Sequence, residues 1–268
     1  MRSRRPTVLC LSGHDPTGGA GLQADIESVR AMGLHPVGLM TALTVQDTVN
    51  VHGVFPQRPE DFLLQGQKLV ADLDVAAIKI GLLGSAEIAR AVMELIVLVG
   101  PVPVVLDPIL AAGGGGDLAS DGLLKVMLES LVPLATIMTP NIPEAYRLTG
   151  QTHMEVSAAH LLGRGAGHVL ITGTHAEGGD VINRWYGPHG VLERSWPRLP
   201  QAYHGSGCTL SAALAAGLAA GLSMADAIER AETYTYASLK KAYPLGHGQW
   251  CPDRTQAGWC VWFDSGDS

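Results

Sequence analysis

The chain has 268 residues, 47% of them hydrophobic and 16% charged, with a formal net charge of −7. That length suits one large α/β domain with a sizeable core, since chains of this size hide ~70–75% of their unfolded surface. The acidic balance excludes nucleic acid and membrane surfaces as expected partners, because both demand clustered Lys and Arg, and points to a small-molecule ligand.

Short apolar runs alternate with helical patterns from the N-terminus onward: 8–12 then 21–32, 37–43 then 59–72, 77–80 then 86–99, and 102–107 then 123–131. Such alternation predicts repeated βαβ units around a mainly parallel central sheet flanked by helices on both faces. A strand at 136–138 runs into a helix that ends near Leu148. Two further runs, 180–186 and 191–196, flank Gly187-Pro-His-Gly190 and predict a hairpin at the sheet edge. A helix of small residues covers 210–220; Gly217 interrupts it and it is shorter than the ~20 residues a bilayer needs, so it reads as buried.

No repeat, linker or composition break divides the chain, which predicts one domain over 1–268 with an aromatic tail, 243–268, carrying Trp250, Trp259 and Trp262. The basic start is followed by a short apolar run broken at Ser12 and Gly13, so no secretory segment is expected. Cys10, Cys208, Cys251 and Cys260 have unrelated spacings, which predicts no structural disulfide and a reducing, cytoplasmic setting.

Ligands of parallel sheets bind outside the carboxyl ends of the strands. The polar and Gly-rich segments 13–21, 81–84, 107–117 and 141–144 fall there and converge on one rim. The sharpest of the candidate site segments is Tyr203-His-Gly-Ser-Gly-Cys-Thr209, a Gly-x-Gly turn running straight into a helix. Its backbone N–H groups and the positive end of the helix dipole make a ready anion hole, with Cys208 at the mouth. Alone, the same turn equally suits a tight bend between small residues.

Six segments in order carry a more specific signal: Ser12-Gly-His-Asp-Pro-Thr-Gly-Gly-Ala-Gly-Leu-Gln-Ala-Asp25, Met40-Thr-Ala-Leu-Thr-Val-Gln46, Lys79-Ile-Gly-Leu-Leu83, Asp107-Pro108, Thr139-Pro-Asn-Ile-Pro-Glu-Ala145 and His204-Gly-Ser-Gly-Cys-Thr-Leu-Ser211. Together they resemble the hydroxymethylpyrimidine and phosphomethylpyrimidine kinases of thiamine biosynthesis. The resemblance implies a ribokinase-like three-layer fold and transfer of the ATP γ-phosphate to the hydroxymethyl group of 4-amino-5-hydroxymethyl-2-methylpyrimidine. Some members phosphorylate that product again, and many are homodimers.

Phosphoryl transfer needs an in-line acceptor and neutralised equatorial charge more than covalent chemistry. The expected cradle is the backbone of Gly205, Ser206, Gly207 and Cys208. Cys208, at a helix N-terminus, is expected to have a lowered pKa and to aim or deprotonate the acceptor hydroxyl. By resemblance Asn141, Glu144 and Thr172 face the nucleotide, and Asp107 and Glu144 hold Mg²⁺ with waters; Asn141 and Glu144 also suit a capping box. One amide can satisfy the ring nitrogen and amino group of an aminopyrimidine, and Gln46 fits that need; the resemblance places it on the ring, with Gly13, Asp15, Leu82 and Ile109 lining the pocket. Asp25 reads either as part of this segment or as a solvated helix residue, and the loop 111–117, with four consecutive glycines, as a mobile flap.

Thr172 stands where relatives usually carry a lysine, and the 113–116 run lacks their lysine or serine. Arg184, Arg198, His175 or a monovalent cation is the expected replacement for that charge. His247, Cys251 and Cys260 match no zinc spacing. The rival readings are a pyridoxal-type kinase, a pyrimidine-binding protein without catalysis, and a hydrolase using Cys208 with His204, which lacks an orienting third group.

Overall fold

The structure is a computed structural model describing residues 4–111, 116, 118–176, 178–256 and 258–260. It follows the predicted alternation closely: β1 (Thr7–His14), α1 (Gly21–Ala31), β2 (His35–Gln46), β3 (Val51–Pro56), α2 (Pro59–Asp72), β4 (Val75–Ile80), α3 (Ala86–Val99) and β5 (Val104–Leu106). There follow α4 (Asp121–Val126), β6 (Ile137–Met138), α5 (Ile142–Thr149), α6 (Met154–Gly163), β7 (Val169–Ile171), and the hairpin β8 (Asp180–Gly187) and β9 (Gly190–Pro197). Helices α7 (Ser206–Ala219) and α8 (Met224–Lys240) precede a small ribbon, β10 (Tyr243–Pro244) with β11 (Trp250–Cys251).

The nine-stranded sheet has the order β3-β2-β1-β4-β5-β6-β7-β8-β9. Strands β2, β1, β4, β5, β6 and β7 run parallel, and β3, β8 and β9 close the edges antiparallel. Alternate residues of one strand enter different cores: Leu9 and Leu11 join α2–α6, whereas Val8 and Cys10 join α1, α7 and α8. This is the expected three-layer arrangement. Successive strands add to one side of β1 through β2 and to the other through β4, so a crevice opens outside the carboxyl ends of β1 and β4.

Three features depart from the sequence reading. The segment Val51–Pro56 pairs with β2 instead of being a plain connection, although Gly53 and Pro56 weaken its strand signal. The helix expected over 123–131 ends at Val126 and widens into a π turn, Met127–Leu131, where Pro133 cannot donate back to the preceding turn. Asp25 is fully buried and not on a solvated face. Of the expected flap over 111–117, residues 112–115 and 117 lie outside the described residues, as does Trp262.

Asp25 is buried because β4 places Lys79 beneath α1. The Lys79 ammonium lies 2.8 Å and 3.0 Å from the two Asp25 oxygens and 3.1 Å from Ser12 Oγ, and both charged side chains are wholly inaccessible. Burial alone would lower the lysine pKa, but Asp25, then Cys208 and Asp107, outweigh it and hold the ammonium above its usual range. A Cβ at Gly81 would come within 2.7 Å of Nζ, so only glycine lets the strand end pass over this charge. Lys79→Met strands the Asp25 charge, and urea unfolding should show a loss of ~3–5 kcal/mol. The double change Lys79→Met with Asp25→Asn should lose less than Lys79→Met alone.

Candidate active site

Helix α7 begins without a side-chain cap. Gly205, at φ 69°, occupies its N-cap position, and the first-turn N–H groups of Ser206, Gly207 and Cys208 receive no capping oxygen from a side chain. A Cβ at Gly205 would meet Gly19 O at 2.2 Å, so the backbone of the first Gly-rich loop is pressed directly onto this turn. An uncapped helix end with small residues at its mouth is a seat for an anion.

Cys208 sits on that turn but is only 5% exposed. The lowered pKa expected for it is corrected by the structure: burial pushes the thiol up to about 12, with Lys79 pulling the other way less strongly. Cys208 is therefore a neutral thiol in the resting protein. The Gly21 N–H lowers the thiol pKa as well, more weakly still.

Asp15 organises the loop between them. Its oxygens accept from Thr17 N (2.8 Å), Thr17 Oγ1 (3.0 Å) and Ala20 N (2.8 Å), and pair with His204 Nε2 at 2.8 Å. Burial would raise this carboxyl, but the His204 hydrogen bond and those from Thr17 hold it below the usual carboxylate range. The side chain is 2% exposed and occupied by the loop itself, so Asp15 shapes the pocket wall and clasps the 203–207 turn. That clasp is also what His204 does, with no geometry suggesting a Cys–His nucleophile pair.

Of the ring-binding candidates, Gly13 and Asp15 lie at the end of β1, Gln46 at the end of β2, Leu82 just beyond β4 and Ile109 just beyond β5. Gln46 Nε2 donates to Thr44 Oγ1 (2.7 Å), which donates to His14 O (2.8 Å), so the amide is held at a set angle. It lines a groove of about 480 Å³ with Pro16, Thr17, Thr48 and His247. A Cβ at Gly13 would lie 2.8 Å from Leu82 Cδ2, and Leu82 O accepts from Thr41 Oγ1, so Gly13 and Leu82 are in contact. Ile109, half-buried, donates its N–H to Asp107 O at 2.9 Å.

Asp107 lies under the α7 turn, its Oδ2 accepting from Ser211 Oγ at 3.1 Å and Oδ1 from Thr139 Oγ1 at 3.4 Å. Asn141 and Glu144 form the full capping box of α5: Asn141 N donates to Glu144 Oε2 at 2.8 Å, and Glu144 N to Asn141 Oδ1 at 2.9 Å. Burial raises Asp107 to about 6 and Glu144 to about 8, the latter raised further by Asp107. Two neighbouring buried carboxyls, with Lys79 offsetting burial only in part at Asp107, suit a hard cation of the Mg²⁺ type, which takes few protein ligands and several waters. Among the described residues no group of three or more His, Cys, Asp or Glu side chains could hold a metal ion.

Thr172 bridges Asn141 and donates its N–H to Pro140 O at 3.0 Å, placing it on the same rim. The arginines expected to replace the missing lysine are engaged elsewhere. Arg184 pairs with Glu193 at 2.6 Å, and Arg198 donates to the carbonyls of Thr174, Ala176 and Gly178, stapling the loop after Thr172. Sequence reading passed over Lys79, His204 as a clasp, and Arg254, a fully buried side chain from the tail that bonds to Gly19, Glu27 and Thr209. Lys79 stood inside a quoted segment; nothing in the tail's sequence marked Arg254.

The family model described as phosphomethylpyrimidine kinase matches residues 15–253. The hydroxymethylpyrimidine/phosphomethylpyrimidine kinase of Streptomyces coelicolor is 36% identical over 253 residues, covering 91% of this chain and 92% of that one. The thiamine biosynthesis bifunctional protein ThiED of Geobacter sulfurreducens is 38% identical over 250 residues, 91% of this chain, which spans about half (51%) of that longer protein. Among solved structures, the pyridoxal kinase of Staphylococcus aureus in complex with pyridoxal superposes with a TM-score of 0.87 at 26% identity over 94% of both chains; the same kinase is also known with AMP-PCP and with ADP.

The Cys208 thiol gives the first test. In the native protein at pH 8 its alkylation by iodoacetamide, followed by peptide mass spectrometry, should run at least ~100-fold slower than that of free cysteine, whose pKa is about 8.5. The rate should still be climbing at pH 10.

Proposed function

The chain belongs to the phosphomethylpyrimidine kinase family, and from that premise we propose that it transfers the γ-phosphoryl group of ATP to the hydroxymethyl group of 4-amino-5-hydroxymethyl-2-methylpyrimidine. The observation that carries the reading is the uncapped N-terminus of α7 set over buried Asp107. The acceptor oxygen forms the new bond to phosphorus as the bond from the γ-phosphorus to the β,γ-bridging oxygen breaks and ADP leaves. The N–H groups of Ser206, Gly207 and Cys208 bind the equatorial oxygens as their charge develops.

In a loose transition state the acceptor keeps its proton until the new P–O bond has largely formed and then releases it to a phosphoryl oxygen and on to water, so a neutral Cys208 aims the hydroxyl and does not need to ionise. Asp107 and Glu144 would hold Mg²⁺ with waters and the nucleotide phosphates; the ion supplies charge neutralisation when bound. Asn141 and Thr172 border the nucleotide. Gln46 reads the aminopyrimidine edge, donating with its free N–H and accepting with its carbonyl, while Gly13, Leu82 and Ile109 pack on the ring. The free, buried thiols of Cys10, Cys208 and Cys251 suit a cytoplasmic setting. A second transfer to the monophosphate is part of the reading, slowed by the lack of a lysine at Thr172.

The same reading takes the protein as a homodimer. Met40, Leu43 and Val45 of β2 and Phe55 of β3 are 42–59% exposed large apolar side chains, and Leu43 lies opposite Phe55 across the strand pair. A second copy of this strand pair is the occupant that such a self-complementary patch suits. Phe55→Glu should shift the mass measured by light scattering from dimer to monomer; an unchanged mass removes this interface.

With ATP, Mg²⁺ and hydroxymethylpyrimidine, mass spectrometry should show the monophosphate first and the diphosphate later. Turnover of pyridoxal alone would move the protein to vitamin B6 chemistry. Gln46→Leu should raise the pyrimidine KM by ~10–100-fold, the worth of one or two lost hydrogen bonds of ~1.5–3 kcal/mol in total, with the ATP KM unchanged.

A further inference from the structure

The segment after α8 is woven into the site. Gln249 N donates to Thr48 O (2.8 Å), His204 N to Trp250 O (2.9 Å), and Trp250 N to Ala202 O (2.8 Å), so this segment runs between the β2–β3 turn and the strand leading into the α7 cradle. It then delivers Arg254, which is 1% exposed, under both Gly-rich loops.

The guanidinium of Arg254 spans those loops. Its Nε donates to Thr209 Oγ1 at 2.8 Å, and Thr209 Oγ1 donates onward to Gly205 O at 2.8 Å. Its Nη2 donates to Gly19 O, and its Nη1 reaches Gly18 O at 3.4 Å and Glu27 Oε2 at 3.2 Å. One planar fork thus joins the loop that carries the acceptor wall, Gly18–Gly19, to the first turn of the helix that carries the cradle.

Both loops need an external constraint. Gly18 and Gly205 have φ of 75° and 69°, and the two backbones touch where Gly205 packs against Gly19 O. Glycine permits this approach but does not enforce it. A buried guanidinium carries a desolvation cost that an apolar side chain in the same place would not, so its presence is poorly explained by stability alone. Its fixed geometry does what packing cannot: it sets the spacing of two glycine backbones to within hydrogen-bond tolerance.

We propose that Arg254 is a positioning residue for phosphoryl transfer, fixing the acceptor loop at Gly18–Gly19 against the cradle at Gly205–Cys208 through Thr209. The inference rests on the kinase reading above. Misplacing reacting groups by about 1 Å costs on the order of 100-fold in rate, which sets the scale of the effect.

The test compares Arg254→Ala, Arg254→Lys and Thr209→Val with the wild-type full chain, using ATP, Mg²⁺ and the pyrimidine. Arg254→Ala should lower kcat by about 100-fold while the ATP KM stays within about threefold. Millimolar ethylguanidinium should restore at least tenfold of that loss and methylammonium should not; Arg254→Lys, which lacks the fork, should stay low. Thr209→Val cuts the link to Gly205 but leaves Arg254 paired with Glu27. It should lose at least fivefold in kcat while circular dichroism shows it still folded at the assay temperature, although the buried Arg254 Nε loses its acceptor.

A folded Arg254→Ala with wild-type kcat overturns the proposal, as does a loss that neither guanidinium nor Thr209→Val touches, which would make Arg254 a residue of folding. If Arg254→Ala does not fold, Thr209→Val decides alone, with unchanged kcat overturning the proposal. Absence of wild-type turnover would overturn the kinase reading together with this one, whereas wild-type turnover matched by folded variants overturns this one only.

Discussion

The molecule is organised around a positive charge that water does not reach. Lys79 reaches from β4 to Asp25 on α1 and to Ser12 on β1, so one ammonium joins the two strands at which the sheet's strand order reverses to the helix that leaves the first of them. Two buried ions tolerate each other only at close range and with their remaining hydrogen-bonding capacity met. That demand ties the end of β4 to β1 and to α1 through one buried ammonium. The same charge is felt by Cys208 and Asp107, so the constraint that orders the switch point also sets the electrostatics of the rim above it.

Over that charge, glycine positions make the closest approaches, two of them backbone to backbone. Gly81 passes across Lys79, Gly21 is pressed against Gly13 O, and Gly205 against Gly19 O. Each contact leaves no room for a Cβ, so a larger residue would push these segments apart. Flexible backbones need polar ties to stay in place, and they are found in Asp15 with His204 and in Arg254 with Thr209. The Gly-rich rim is therefore held from behind by buried charged side chains whose own oxygens and nitrogens are already occupied.

Much of this frame is legible in the sequence because it follows from periodicity and from local chemistry. Helices 59–72 and 86–99 emerge with the expected limits, since Pro59 and Ser85 start them and apolar residues recur at helical spacing. The capping box at Asn141 and Glu144 is equally local. What sequence does not reveal is long-range. Asp25 lies on a helix with no cue that a lysine 54 residues later will bury it, and Arg254 meets Gly19 across 235 residues. The pairing of β3 with β2 is hidden by Gly53 and Pro56, which read as breakers until an edge position makes them acceptable.

Cys208 shows how magnitudes settle a question that motif reading leaves open. A helix N-terminus favours a thiolate by ~0.3–1 kcal/mol, up to ~2 kcal/mol when partly buried. Full burial can move a titrating group by ~3–5 pKa units, and one unit is ~1.4 kcal/mol, so desolvation wins by a wide margin. Lys79 offsets part of it, but Asp107 and Asp25 act against Lys79 from nearby. The thiol stays protonated, and a protonated thiol cannot be the base that starts the reaction. The chemistry then has to lie in aligned backbone donors and a well-aimed hydroxyl, which is what a loose phosphoryl transfer asks of a site. The buried ties behind the glycine loops supply that alignment, so the residues that sequence does not mark govern the geometry of those that it does.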